Sequence, residues 1–199
     1  METQLNRNIY LDKLIEFKDT DFIKVITGVR RSGKSSILRL FEKYLLSENI
    51  DKSQIIFINF EHPDFQNYLN DKSLYEYLLK YTEVSQRYYF LFDEIQEVNA
   101  WQKLINGLRV KFDCDIYITG SNANLLSGEL STYLSGRYVE IKVMPLSFKE
   151  FLVFKNYNDP TKVDMYYEEY IRNGSFPSVA LLNNESIVDD VIKGIYNSI

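Results

Sequence analysis

Eight consecutive residues, Gly28-Val29-Arg30-Arg31-Ser32-Gly33-Lys34-Ser35, fill the spacing G-x-x-x-x-G-K-[ST] without a gap. That spacing suits the grip of a polyphosphate. Glycines at the first and sixth positions allow backbone angles closed to other residues, so that N–H groups can approach a phosphate closely. A helix beginning at the lysine points its positive end at the anion. Lys34 is then placed to reach β- and γ-phosphates, the Ser35 hydroxyl to ligate Mg2+, and Ser36 to add a further contact at the helix start. Arg30 and Arg31 suit phosphate or partner contacts better than core positions, because guanidinium groups resist burial.

A second chemical cluster closes the run Tyr88-Tyr89-Phe90-Leu91-Phe92-Asp93-Glu94. An apolar strand there delivers two carboxylates at its C-terminal end, where ligands bind in open α/β sheets. Asp93 is the candidate Mg2+ carboxylate, and Glu94 is the group to orient and polarise an attacking water. A nucleotide kinase or a simple switch has no need of the second carboxylate. Further along, Thr119-Gly120-Ser121-Asn122 follows another strand. Ser121 and Asn122 are candidates to bond a γ-phosphate or the lytic water, although Gly, Ser and Asn also make an ordinary turn. Arg137, after Gly136, is a candidate arginine finger acting in its own chain or in a neighbour, with a plain surface role as the competing reading.

These groups need a scaffold, and the periodicity supplies one. An amphipathic stretch over Tyr10–Phe17 precedes a short strand, Ile23–Ile26. Ile37, Phe41 and Leu45 recur at helical spacing after the phosphate loop. Strands are predicted over Gln54–Phe60, Tyr88–Phe92, Ile116–Thr119 and Tyr138–Val143, with helices over Leu74–Tyr81 and Trp101–Val110. Continuous apolar strands alternating with helices predict an α/β fold with a parallel sheet covered on both faces. After Pro145 helical patterns dominate, broken at Asp159-Pro160, Gly174 and Pro177. The predicted division is a P-loop core over 1–145 and a helical lid over 146–199.

Composition narrows the function classes. A chain of 199 residues with 45% hydrophobic content can bury a full core, and its net charge of −5 offers no general basic field for nucleic acid. Cys114 and His62 are alone of their kinds, so no disulfide framework, zinc knuckle or His-based triad fits within the chain. No apolar run reaches the length of a membrane span, and the polar residues from Met1 to Asn8 do not read as a signal peptide. The expected setting is a reducing cytoplasm. Thr161-Lys162-Val163-Asp164 superficially resembles a guanine-reading signature, but it follows Asn158-Asp159-Pro160 and reads as a capping box opening a helix. Asp93-Glu94-Ile95-Gln96 also lacks the glycine of a GTP switch. ATP is the expected nucleotide.

In order along the chain, GVRRSGKSSIL, FLFDEIQEV, ITGSNANLLSGEL, SGRYVEIKVMPLSFKEFL and YIRNGSFPSVA resemble a family of bacterial and archaeal AAA+ ATPases. DEIQ and PLSFKEF carry the specificity of that resemblance, which spans about Arg7 to Ile199. It implies a P-loop sheet of order 5-1-4-3-2 followed by a small helical lid. It also implies that the region of Arg7 and Tyr10 contacts adenine, that Ser121 is the polar sensor and that Arg137 is the finger-like arginine. Members of the family continue into a C-terminal domain, so a truncated lid region is expected here. The leading expectation is Mg2+-dependent ATP hydrolysis that drives a conformational change in a larger protein. A nucleotide-gated switch or scaffold with negligible turnover is the alternative, and a small-molecule kinase is a third class. Self-association is a possibility the finger raises; whether the partner is protein or DNA is not written in these residues.

Overall fold

The computed structural model describes residues 7–120, 134, 136–182 and 184–197, the side chain of Glu185 apart. Its middle is a five-stranded parallel sheet made of β1 (Ile23–Thr27), β2 (Ile55–Asn59), β3 (Arg87–Asp93), β4 (Asp113–Thr119) and β5 (Tyr138–Lys142). The strands lie in the order β2-β3-β4-β1-β5, which from the other edge is 5-1-4-3-2. All pairings are parallel, so every strand presents its C-terminal end to the same edge. The phosphate loop leaves β1 there.

Burial explains the unbroken apolar strands. On β3, Phe90 and Phe92 face Leu74 and Leu78 of α3 (Asp71–Leu78) and Leu104 and Leu108 of α4 (Trp101–Lys111). Tyr89 and Leu91 face the opposite layer, with Leu14 of α1 (Asn8–Glu16) and Phe41 and Leu45 of α2 (Lys34–Ser47). Period-two side chains thus feed two hydrophobic layers, each large buried side chain contributing about 1.5–3 kcal/mol.

The lid packs separately. Its helices are α5 (Phe148–Phe154), α6 (Val163–Asn173), the short α7 (Pro177–Ala180) and α8 (Glu185–Tyr196). Leu146, Phe151 and Ala180 make one small core, and Val179, Val188 and Ile195 another. A capping box starts α5, the Ser147 side chain accepting from Glu150 N while Glu150 reaches back to Ser147 N. The capping box predicted at Thr161 does not form. The Asp159 side chain instead accepts from Thr161 N and caps a 3-10 turn over Pro160–Lys162, so α6 begins at Val163 without a side-chain cap. The residue before a proline is held extended, and an aspartate so held folds its carboxylate onto the next turn. Among the described residues no helix is long and apolar enough to cross a membrane.

Candidate nucleotide site

The loop between β1 and α2 is shaped by close approach. A Cβ on Gly28 would stand 2.2 Å from the Val143 carbonyl oxygen, because Val143 N donates to Thr27 O at 2.7 Å and draws the end of β5 against the loop. Gly33, at φ +100°, turns the chain into α2. Lys34, the first residue of α2, is buried, and its ammonium donates to the carbonyls of Gly28 at 3.2 Å and Val29 at 3.4 Å. Burial lowers its pKa, opposed by the carboxylates of Glu94 and Asp93. Val29, Arg30, Arg31 and Ser36 are exposed, and Arg30 pairs with Glu61 at 3.7 Å.

Asp93 ends β3 with no exposure at all. Its Oδ1 accepts from Ser35 Oγ at 3.0 Å and from Thr119 Oγ1 at 2.6 Å. Its Oδ2 has no partner. Desolvation raises the Asp93 pKa, partly offset by the bonds from Thr119 and Ser35. Glu94 follows in the left-handed region at φ 55°, its N–H donating to Thr119 Oγ1 at 3.0 Å. Its Oε1 lies 4.0 Å from Lys34 Nζ, and its Oε2 accepts from Gln96 Nε2 at 2.6 Å. Among the described residues, three buried side-chain polar atoms lack a hydrogen-bond partner: Ser32 Oγ, Asp93 Oδ2 and Gln96 Oε1. Ser32 and Asp93 belong to the two motifs, and Gln96 follows the second by two residues. Buried polar atoms are rarely left unpaired, and each such atom calls for an explanation such as a ligand, ion or water.

Thr119 joins the site although sequence reasoning passed it over for its neighbours. Phe92 pairs with Ile118 across β3 and β4, which brings the hydroxyl of Thr119 beside Asp93. A polar residue closing an apolar strand was the available signal, once β4 is known to lie next to β3. Ser121 and Asn122 lie outside the described residues.

A cavity of about 760 Å³ opens between the phosphate loop and the lid. Arg31, Gly33, Lys34, Ser35, Ser36 and Glu94 line its polar part, with Phe154, Pro177, Leu181 and Val191 on the lid side. Arg7 is on its wall and almost fully buried. Each guanidinium nitrogen of Arg7 is bonded to protein: Nε to Glu150 Oε1 at 2.7 Å, Nη1 to Ser32 O at 2.9 Å, and Nη2 to Met144 O at 2.8 Å. Tyr10 lies under that group, 4.6 Å from ring centre to guanidinium, and its hydroxyl accepts from Met144 N at 3.1 Å. Arg7 and Tyr10 thus tie the phosphate loop to the start of the lid. The Arg7 bond also holds the Glu150 carboxyl below its usual range against the opposing effect of burial.

Arg137 stands elsewhere. Its carbonyl accepts from Ile23 N at 2.9 Å, before the first residue of β5, and its side chain is exposed. Five residues of β5 separate it from the phosphate-loop edge, roughly 17 Å at strand rise. In this structure Arg137 is thus about one strand's length from the phosphate loop of its own chain.

Known proteins resemble the chain at two levels. It is 50% identical over 201 residues to an uncharacterised protein of Haemophilus influenzae, covering 100% of this chain and 50% of that one. Identity is 37% over 198 residues to an uncharacterised protein of Methanocaldococcus jannaschii, covering 95% and 42%. The chain spans about half the length of the curated relatives it matches. Among solved structures, the Walker-type ATPase of Pyrococcus abyssi aligns with TM-score 0.59 at 18% identity, over 89% of this chain and 65% of that one. AMPPCP-bound DnaA from Aquifex aeolicus aligns with TM-score 0.52 at 17% identity, over 98% and 62%. The ORC1 protein of Aeropyrum pernix, in complex with DNA, aligns with TM-score 0.56 at 17% identity, over 88% and 57%. These distant likenesses establish the shared P-loop fold. The AAA domain model matches residues 20–152, and the chain therefore belongs to the AAA-domain family of nucleotide-binding ATPase modules.

Proposed function

We propose that this chain binds ATP with Mg2+ in the cavity between loop and lid and hydrolyses it, moving the lid against the core within a larger protein. The observation that carries the reading is the trio of unpartnered buried atoms, Ser32 Oγ and Asp93 Oδ2 in the two motifs and Gln96 Oε1 two residues past the second. The donor set fits Mg2+: the Ser35 hydroxyl on the cavity wall and, bonded to it, the Asp93 carboxylate with one oxygen unpartnered, hard oxygen ligands of the kind this ion prefers. When bound, Mg2+ would neutralise charge on the outer phosphates.

The chain's own residues do the rest. Lys34 exchanges its loop carbonyls for phosphate oxygens, and the loop N–H groups and the start of α2 hold the anion. Glu94 orients the attacking water and takes its proton on the carboxylate. Thr119 holds Asp93 through its hydroxyl and the Glu94 backbone through its oxygen. The lid side of the cavity offers apolar surface to a base. Arg7 joins loop and lid, so a shift of the loop on binding reaches Glu150 and α5.

Two variants test this reading. Lys34→Ala is expected to weaken ATP binding roughly ten- to hundredfold, a bond to a charged group being worth about 1.5–3 kcal/mol. Fluorescent-nucleotide titration at fixed Mg2+ reads it, and unchanged affinity overturns the phosphate-loop assignment. Glu94→Gln is expected to bind normally but release phosphate about 10² to 10⁴ times more slowly. Tight binding with negligible phosphate release from the wild type would leave the nucleotide-gated switch in place of the hydrolase.

A further inference from the structure

Glu94 needs one carboxylate oxygen free for the water it is to activate and a means of keeping that oxygen aimed. Its backbone solves half of the problem. The left-handed turn at φ 55° and ψ 51° reverses the chain directly after β3, and the bond from Glu94 N to Thr119 Oγ1 pins the turn. A side chain with three rotatable bonds would still wander.

The 3-10 turn Ile95–Glu97 supplies the other half. Ile95 is buried in the core and anchors the turn, and Glu97 N donates to Glu94 O at 3.2 Å. That brings the Gln96 side chain back onto Glu94. Gln96 Nε2 donates to Glu94 Oε2 at 2.6 Å, while Glu94 Oε1 is the oxygen 4.0 Å from Lys34 Nζ. One carboxylate oxygen is therefore tethered and the other faces the phosphate-binding lysine. Amide orientation follows from the chemistry, since only the NH2 group can bond a carboxylate. Gln96 Oε1, thus turned away from Glu94, is buried and has no partner. It is an acceptor beside the proposed base.

We propose that Gln96 is a positioning residue for hydrolysis, holding Glu94 through Oε2 and leaving Oε1 to the attacking water. The inference rests on the reading of Glu94 as the base. It requires nothing outside the chain other than the Mg2+, ATP and water of that reaction.

The test compares Gln96→Leu and Gln96→Glu with wild type, alone and in a Glu94→Gln background. Each single variant is expected to keep ATP affinity within about twofold and to lose roughly ten- to hundredfold in kcat, the scale of a bond to a charged group. In the Glu94→Gln background the same changes should cost little more, because groups acting as a unit are not additive. Full kcat in both Gln96 variants, a rise in kcat, or an equal further loss on top of Glu94→Gln overturns the proposal. A Glu94→Gln chain as fast as wild type defeats the base assignment itself and the proposal with it, which separates the two failures. The bond can also be read without turnover, from the Gln96 side-chain amide NMR signal, assigned by its disappearance in Gln96→Leu. That signal should move in Glu94→Gln; an unmoved signal overturns the tether.

Discussion

Asp93 and Asp115 are two buried carboxylates on neighbouring strands, with exposures of 0% and 1%. Asp115, toward the start of β4, is fully engaged. Lys24 Nζ bonds its Oδ1, and Asp19 N at 2.8 Å and Tyr117 OH at 2.9 Å donate to its Oδ2. Asp93, at the end of β3, has two hydroxyl donors on one oxygen, nothing on the other and no cation bonded to it. The Asp115 end is closed by its own chain and ties the α1–β1 turn to the sheet. The Asp93 end keeps one buried oxygen that the described residues do not bond. Burial alone therefore does not mark a candidate site carboxylate; a buried oxygen without a hydrogen-bond partner is the more telling sign.

The largest expected effect comes from breaking the closed pair. Lys24→Met keeps the volume of the side chain and leaves Asp115 buried without its cation, which should cost about 3–5 kcal/mol of stability. Urea unfolding followed by circular dichroism measures it. ATP affinity per folded molecule should stay at the wild-type value, because the pair lies at the other edge of the sheet. A loss below 1 kcal/mol would mean that water reaches Asp115 and that the two carboxylates differ less than their geometry implies.

Asp93→Asn should act in the opposite sense. A raised carboxyl pKa means that the folded chain binds this proton more tightly than the unfolded chain. Asp93 therefore opposes folding as pH rises from the ordinary aspartate range through its higher folded value, and the full cost is present above that. The amide keeps an oxygen for Ser35 and Thr119 and discards the charge. Without ligands the variant is expected to be more stable than wild type at pH 7, with the gap closing as pH falls. Adding Mg2+-ATP at a hundred times its Kd should then stabilise wild type by about 2.7 kcal/mol and the variant by clearly less. Melting curves across pH with and without Mg2+-ATP read both quantities; a variant that is less stable at pH 7, or equally stabilised by Mg2+-ATP, would place Asp93 with Asp115.

The open end was the more legible of the two in the sequence. Gly28 to Ser35 and Tyr88 to Glu94 are defined by local geometry, each motif carrying its own strand, turn or helix, so residue type and spacing were enough to single them out as candidates. The sheet order came from resemblance and agrees with the observed pairing. Other parts depended on distant partners. Thr119 matters because β4 lies beside β3. Arg7 matters through Ser32, 25 residues away, and Glu150, 143 residues away. Lys24 sat unremarked inside a predicted strand because its partner Asp115 is 91 residues on. No spacing rule within one sequence reaches across such separations. Gln96, only two residues from Glu94, was hidden for another reason: the left-handed turn that folds it back has no glycine to announce it.

Arg137 should show the smallest effect on the folded chain, and it sharpens the comparison further. It stands at the Asp115 end, exposed, sharing a cavity of about 280 Å³ with Asp21, Arg109 and Asp113. Replacing an exposed side chain away from caps, cores and networks changes stability by no more than about 0.5 kcal/mol. Arg137→Ala should therefore match wild type in urea unfolding and in ATP affinity. A finger role supplied to a neighbour would require the Asp115 end of one chain to meet the Asp93 end of another. Turnover per chain should then rise with protein concentration and cease to do so in Arg137→Ala. Mixing Arg137→Ala with Lys34→Ala chains should restore part of the activity, since each supplies what the other lacks. Concentration-independent turnover, no rescue on mixing and an Arg137→Ala rate equal to wild type would make Arg137 a surface residue and leave the closed end of the sheet without a part in the reaction.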